Sequence, residues 1–197
     1  MTVERSAVRD RAVRAMLPFA GEAGWTWSTL RAGLAAAGDD PDLAPSHFHG
    51  GPVAAVAAWA DLADREMAAA AAAEPMDGLR TPERVRRVVE LRLRAAAPHK
   101  RALRRAVALL ALPWNAGPAI RTTARTASAL WYAAGDRSAD FSWYTRRASL
   151  GAIYAATLAF WLRDDDPDTG GALAFFDRRL AGLARLQNRG GPRQAGV

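Results

Sequence analysis

Proline and glycine cut this alanine-rich chain into helix-length pieces, and that punctuation is what most restricts its fold. Pro75 with Gly78, then Pro98, Pro113, Gly135 and the run "DDDPD" at 164–168 recur at intervals that suit helices of a few turns. Between them Ala dominates while Val, Ile and Thr are sparse, so each piece favours helix over strand. The expectation is an all-α bundle of about eight or nine helices. At 197 residues one domain is enough, and it can bury a core without disulfides or metal.

The pieces read individually as helices over about 4–20, 26–38, 52–74, 81–97, 99–112, 118–134, 140–162 and 171–187. Gly21 and Gly24 end the first, Thr26 or Ser28 caps the second and Gly38 closes it, and Gly135 closes the helix that starts at Pro118. Thr81 with Pro82 and Glu83 is a helix-start signal, Thr81 being the expected cap. In 99–112, Leu103, Ala106, Val107 and Leu110 fall on one apolar stripe. The expected organisation is one unit over 1–188 with a flexible tail at 189–197; "AVRAMLPFAGEAGWTWSTLRAGLAAAG" resembles the front of TetR-type regulators, which implies a degenerate helix-turn-helix portion at 4–50 and a ligand-binding and dimerisation body at 52–188.

Several chemistries are excluded or unsupported. There is no cysteine, hence no disulfide, thiolate nucleophile or thiolate-ligated metal. His47 and His49 stand two apart, the wrong spacing for two ligands on one helix face, and no metal site is expected. No catalytic residue and no cofactor are assigned: nothing resembles a Ser/His/Asp order, a phosphate-binding glycine loop or a paired-carboxylate helix. The apolar uncharged run at 148–162 is shorter than the roughly 20 residues that span a bilayer. The N-terminus lacks the apolar core of a secretory signal. A cytoplasmic protein is expected, or one peripheral on the cytoplasmic face of the inner membrane.

The formal charge is +7, almost all of it from Arg. The front of the chain is similar to the helix-turn-helix of TetR-type regulators, whose recognition segment would fall near 41–50. From Ala32 to Asp64, however, there is no Lys or Arg, while Asp39, Asp40, Asp42, Asp61 and Asp64 are acidic. Such a surface repels phosphate, so nucleic acid is not expected as a partner. The basic block runs from Arg80 to Arg105, opposed only by Glu83 and Glu90. It suits either an anionic surface or solvated helix faces with internal ion pairs.

In "DFSWYTRR", Asp140, Trp143, Tyr144 and Arg147 fall at i, i+3, i+4 and i+7, a stripe with aromatics in the middle and opposite charges at its ends. Two readings remain open: core aromatics, or a protein-docking patch. The same helix then becomes apolar all round, as expected beside a core or a hydrophobic cavity.

The segments "RALRRAVALLALPWN", "LWYAAGDRSADFSWYTRRASLGAIYAATLAFWLRDD" and "FFDRRL" closely resemble the coenzyme Q (ubiquinone) biosynthesis accessory protein family, ninth in the coenzyme-Q series. The resemblance runs from residue 4 to about 187. It implies a TetR-like all-α fold that has lost DNA binding, forms a homodimer and holds phospholipid and isoprenoid quinone intermediates in a hydrophobic pocket. It also implies a non-enzymatic role, presenting substrate to a quinone-ring hydroxylase: the di-iron demethoxyubiquinone hydroxylase or a bacterial counterpart. Carried over by position, the partner patch falls on Asp140, Trp143 and Tyr144, and the phospholipid-contacting arginine on Arg147. Leu110, Leu130, Ile153, Tyr154 and Leu158 are the expected pocket lining. Family members from mitochondria carry a transit peptide and an amphipathic C-terminal helix that inserts into the membrane. Here "QNRGGPRQAGV" stands where that helix would be, so only a transient membrane contact is expected.

Overall fold

The computed structural model describes residues 5–135, 142–163 and 165–190, with the side chains of 142–146, 184 and 186–190 outside the description. Among the described residues all regular structure is helical. In chain order the helices are α1 (Ala7–Ala23), α2 (Trp27–Ala36), α3 (Ala44–His47), α4 (Gly51–Ala72), α5 (Thr81–Ala96), α6 (Lys100–Leu110), α7 (Ala116–Ala133), α8 (Ser142–Trp161) and α9 (Gly170–Gly190). Short 3-10 turns at Pro41–Leu43, Ala97–His99 and Pro113–Asn115 link several of them.

The helix ends follow local chemistry. Ser6 Oγ accepts the Arg9 amide to open α1, and Gly24 closes it with a φ of 82° that a side chain would resist. Thr26 Oγ1 accepts the Thr29 amide to open α2. At α5 the cap lies one residue earlier than the Thr81 expected from sequence. Thr81 is the first helical residue, and the Glu83 carboxylate reaches back to accept the Arg80 amide at 2.8 Å. Pro98 does not make a long break: a single 3-10 turn carries the chain from α5 directly into α6. Helix α9 continues through Gly190, so the first two residues assigned to the tail are helical, and 191–197 lie outside the description.

Two apolar clusters hold the helices together. The first joins α1, α2 and Phe48 to the front of α4 and to α6, with Met16, Leu30, Leu34 and Leu62 fully buried. The second joins the back of α4 to α5, α7, α8 and α9, around Met67, Leu93, Leu130 and Phe176. Leu103 packs against both. The front three helices are fastened to the body rather than hung from it. Trp25 Nε1 donates to the Ala102 carbonyl on α6 at 3.0 Å, and its ring stacks on Trp59 of α4. Where α1 crosses α2, Gly33 is needed for close approach: a Cβ there would lie 2.5 Å from Met16 Cβ.

Ion pairs add a second set of cross-links. Arg65 on α4 donates to Asp10 on α1 and, on its own helix, to Asp61; Arg5, ahead of α1, also donates to Asp61. Burial alone would raise the Asp61 carboxyl, but the hydrogen bonds and charges of Arg5 and Arg65 outweigh it and hold the group below its ordinary value. A depressed folded pKa means that this pair contributes stability above the unfolded carboxylate value of about 3.9, and loses it as pH falls through the folded value. Urea unfolding followed from about pH 5 down to pH 2 should therefore show a steeper loss of stability for the wild type than for Asp61→Asn. Parallel curves would show that Asp61 carries no such linkage.

Candidate binding cavity

Helices α4, α6, α7 and α8 enclose a cavity of about 270 Å³. The stripe read on α6 faces it: Leu103, Val107 and Leu110 line the cavity and are only half-buried, whereas Ala102, one turn behind, is fully packed. Val56 and Trp59 come from α4, Thr122 and Thr126 from α7, and Tyr154 and Leu158 from α8. Small side chains leave the opening. Ala111, Ala155 and Ala159 line the cavity and are themselves exposed, so the mouth lies between the end of α6 and the middle of α8. The volume sits near the lower end of the roughly 300–1,000 Å³ typical of small-molecule sites.

The lining is apolar apart from the hydroxyls of Thr122 and Thr123 on α7 and Tyr154 on α8, and the junction of α4, α5 and α7. There Arg92 Nε donates to Asp64 Oδ1 at 3.2 Å, and Thr126 Oγ1 donates to Asp64 Oδ2 at 2.9 Å, all three residues being buried. Burial pushes the Asp64 carboxyl above its ordinary value, and the opposing charge and hydrogen bonds of Arg92 and Thr126 only partly counter that. Burial likewise raises the Tyr154 hydroxyl, which stays protonated at physiological pH.

A second, polar cleft of about 670 Å³ lies on the other side of this junction. Asp61, Asp64, Arg65, Arg125 and Arg147 line it, together with Arg5 and the exposed Tyr132. Asp64 lines the polar cleft, while Arg92 and Thr126 line the apolar cavity, so the buried pair forms the wall between the two.

The residues anticipated from sequence are distributed unevenly. Leu110, Tyr154 and Leu158 line the cavity. Leu130 does not: it is fully buried in the second core cluster, one helical turn beyond the lining residue Thr126. Ile153 packs against that same cluster, because one step along α8 turns it away from the face carrying Tyr154 and Leu158. Arg147 lines the polar cleft rather than the apolar cavity. Asp140 lies outside the described residues, and Trp143 and Tyr144 occupy the first turn of α8 with side chains that also lie outside the description.

Trp59, Arg92, Asp64 and Thr126 were not anticipated. Thr122 and Thr126, at i and i+4 on one face of α7, were the available signal. The Asp64 to Arg92 pairing across 28 positions left none.

Most of the basic block is engaged within the molecule. Arg86, Arg87 and Arg94 converge on Glu90, Arg104 pairs with Asp165, and Arg105 donates to the backbone carbonyls of Gly21 and Glu22. Asp61 and Asp64, counted above as part of a surface that repels phosphate, instead face Arg5, Arg65 and Arg92. Only Asp39, Asp40 and Asp42 stand beside α3, and Asp39 is itself paired with Arg11.

Residues 116–187 match the family model COQ9. Over this segment, a little over a third of the chain, the sequence is similar to the COQ9 family. The segment begins at the first residue of α7 and takes in α8 and most of α9, so the COQ9 region supplies two walls of the cavity, and α4 and α6 supply the others. The rat "Ubiquinone biosynthesis protein COQ9, mitochondrial" is 38% identical over 51% of this chain and 32% of its own length. The human protein of that name is 37% identical over 51% of the chain and again 32% of its own length. The Drosophila melanogaster COQ9 aligns over 92% of this chain and 56% of its own length, at 28% identity. The matched part thus spans about a third of the length of the mammalian relatives. In fold the chain is similar to a TetR transcriptional regulator from Nitrosomonas europaea, with a TM-score of 0.70 at 23% identity, covering 91% of this chain and 99% of that one. The architecture is therefore all-α and TetR-like. No helix among the described residues is long and apolar enough to cross a membrane.

Proposed function

We propose that this chain is a non-enzymatic, lipid-binding accessory protein of ubiquinone biosynthesis, which as a homodimer takes isoprenoid quinone intermediates into the α4–α6–α7–α8 cavity and presents them to a quinone-ring hydroxylase. The observation that carries the reading is an apolar cavity walled by the COQ9 segment. An isoprenoid tail gains about 0.8 kcal/mol for each CH₂ kept from water, so such a substrate does not leave a bilayer unaided. At about 270 Å³ the cavity suits a ring with a short stretch of tail, and the alanine-rimmed mouth lets the remainder emerge. Asp140, Trp143 and Tyr144 remain the proposed docking patch for the hydroxylase, di-iron or a bacterial counterpart, and Arg147 the proposed contact for a phospholipid headgroup.

The corner between α6 and α7 supports contact with a membrane surface. Trp114 and Ile120 are 76% and 69% exposed, close in the chain to the lining residues Ala111 and Ala119. From Leu91 to Gly135 the chain has no Asp or Glu while Arg recurs, so nothing in this segment repels an anionic headgroup. Trp is also a residue favoured at the membrane–water interface.

The TetR-like fold favours one other reading, a transcription regulator with a hydrophobic effector pocket. Against it, α3 is a single turn, "APSH", flanked by Asp39, Asp40 and Asp42 rather than by cations that would hold phosphate.

Two experiments test the proposal. Ala155→Phe places a ring in the mouth of the cavity and should weaken binding of a short-tailed prenylated quinone at least about tenfold without shifting the melting temperature. Unchanged affinity would remove the cavity from the account. Trp114→Ala combined with Ile120→Ala should reduce sedimentation with phosphatidylglycerol-containing vesicles by about tenfold or more. Vesicle binding that is absent in the wild type, or unaltered in the variant, would rule out this corner as the contact.

A further inference from the structure

The polar spot in the otherwise apolar cavity has hydrogen-bond donors to spare. Tyr154 is 7% exposed and lines the cavity, yet its hydroxyl makes no hydrogen bond among the described residues. Buried tyrosines ordinarily find a partner for that group. Arg92, 8% exposed, also lines the cavity. Its Nε is committed to Asp64, and its two terminal amino groups carry no further hydrogen bond among the described residues. Both Asp64 oxygens are already taken, by Arg92 and Thr126. The floor offers a ligand the Arg92 amino groups, which only donate, and the Tyr154 hydroxyl, which can donate beside them.

Charge narrows the class of ligand. Arg92 and Asp64 neutralise each other, so a ligand carboxylate would be a second buried anion beside one compensated pair, at a substantial desolvation cost. A neutral acceptor brings no such cost.

We infer that Tyr154 and Arg92 together read a neutral, hydrogen-bond-accepting oxygen on an otherwise apolar ligand, a ring carbonyl or ring ether, and disfavour a free fatty acid. This rests on the cavity being the lipid site proposed above. It goes beyond that reading by giving the ligand an orientation, oxygen-bearing end inward and tail toward the alanine-rimmed mouth. Burial keeps the Tyr154 hydroxyl protonated, as a donor requires.

The test is isothermal titration of the full chain with three probes: a para-benzoquinone bearing a five-carbon alkyl chain, pentylbenzene, and a straight-chain fatty acid of similar size. The chain has no cysteine, so the quinone meets no thiol to alkylate. In the wild type the quinone should bind most tightly. Tyr154→Phe should weaken the quinone about three- to tenfold and leave pentylbenzene unchanged. Its unfolding midpoint should not fall, because the deleted hydroxyl has no partner within the protein. Equal quinone affinity in wild type and variant, or a preference for the fatty acid, would overturn the inference while leaving the cavity as a lipid site. Failure of both the quinone and pentylbenzene to bind would overturn the inference and the cavity reading together.

Discussion

The buried pair of Asp64 and Arg92, closed by Thr126, is the interaction on which the rest of this arrangement depends. It ties α4 to α5 and α7 at the point where an apolar cavity and a polar cleft come back to back. An ion pair in such a place is weak evidence for stability, because desolvation consumes much of what attraction returns, and a well-packed apolar replacement is often as stable. Its consequence here is partition. With the pair in place, the α6–α8 side stays apolar, and the arginines of the other side face a separate cleft. Removing one partner would leave a charge buried at the junction.

The frame around that junction is a TetR-like one in which the front helices are packed into the body. In the first cluster, α1 and α2 pack on α4 and α6 through Met16, Leu30, Leu34 and the stacked Trp25 and Trp59, so the front of the molecule continues the body. At the position expected for a recognition helix, the 3-10 turn Pro41–Leu43 runs straight into the four residues of α3. The cavity, by contrast, is bounded by α4, α6, α7 and α8, and the long apolar run of α8 supplies one wall with small side chains at the mouth.

Much of the architecture was legible in the sequence because it is dictated locally. Gly24, Gly38 and Gly135 do sit at positive φ after helices, and the i, i+3, i+4, i+7 pattern of α6 marks the face that meets the cavity. Leu110, Tyr154 and Leu158 were within reach for the same reason. Leu130 and Ile153 were not separable from them, since hydrophobicity is common to core and cavity, and only helix phase tells which side a residue faces. Long-range pairing was the other blind spot. Counting Asp61 and Asp64 as exposed acid ignored that they meet Arg5 and Arg92, and the internal pairing allowed for the basic block could not be traced to its distant partners, Glu74 for Arg87 and Asp177 for Arg86. The side chains of the "DFSWYTRR" stretch, which raised the sharpest functional reading, lie outside the described residues except for Arg147.

The central claim is that the cavity carries an isoprenoid quinone intermediate. The most direct test is to purify the protein without detergent, extract it under native conditions, and identify by mass spectrometry what remains bound. The account predicts an isoprenoid quinone or one of its ring precursors, at a stoichiometry approaching one per chain. A protein that comes through empty, or that carries phospholipid alone, would contradict it.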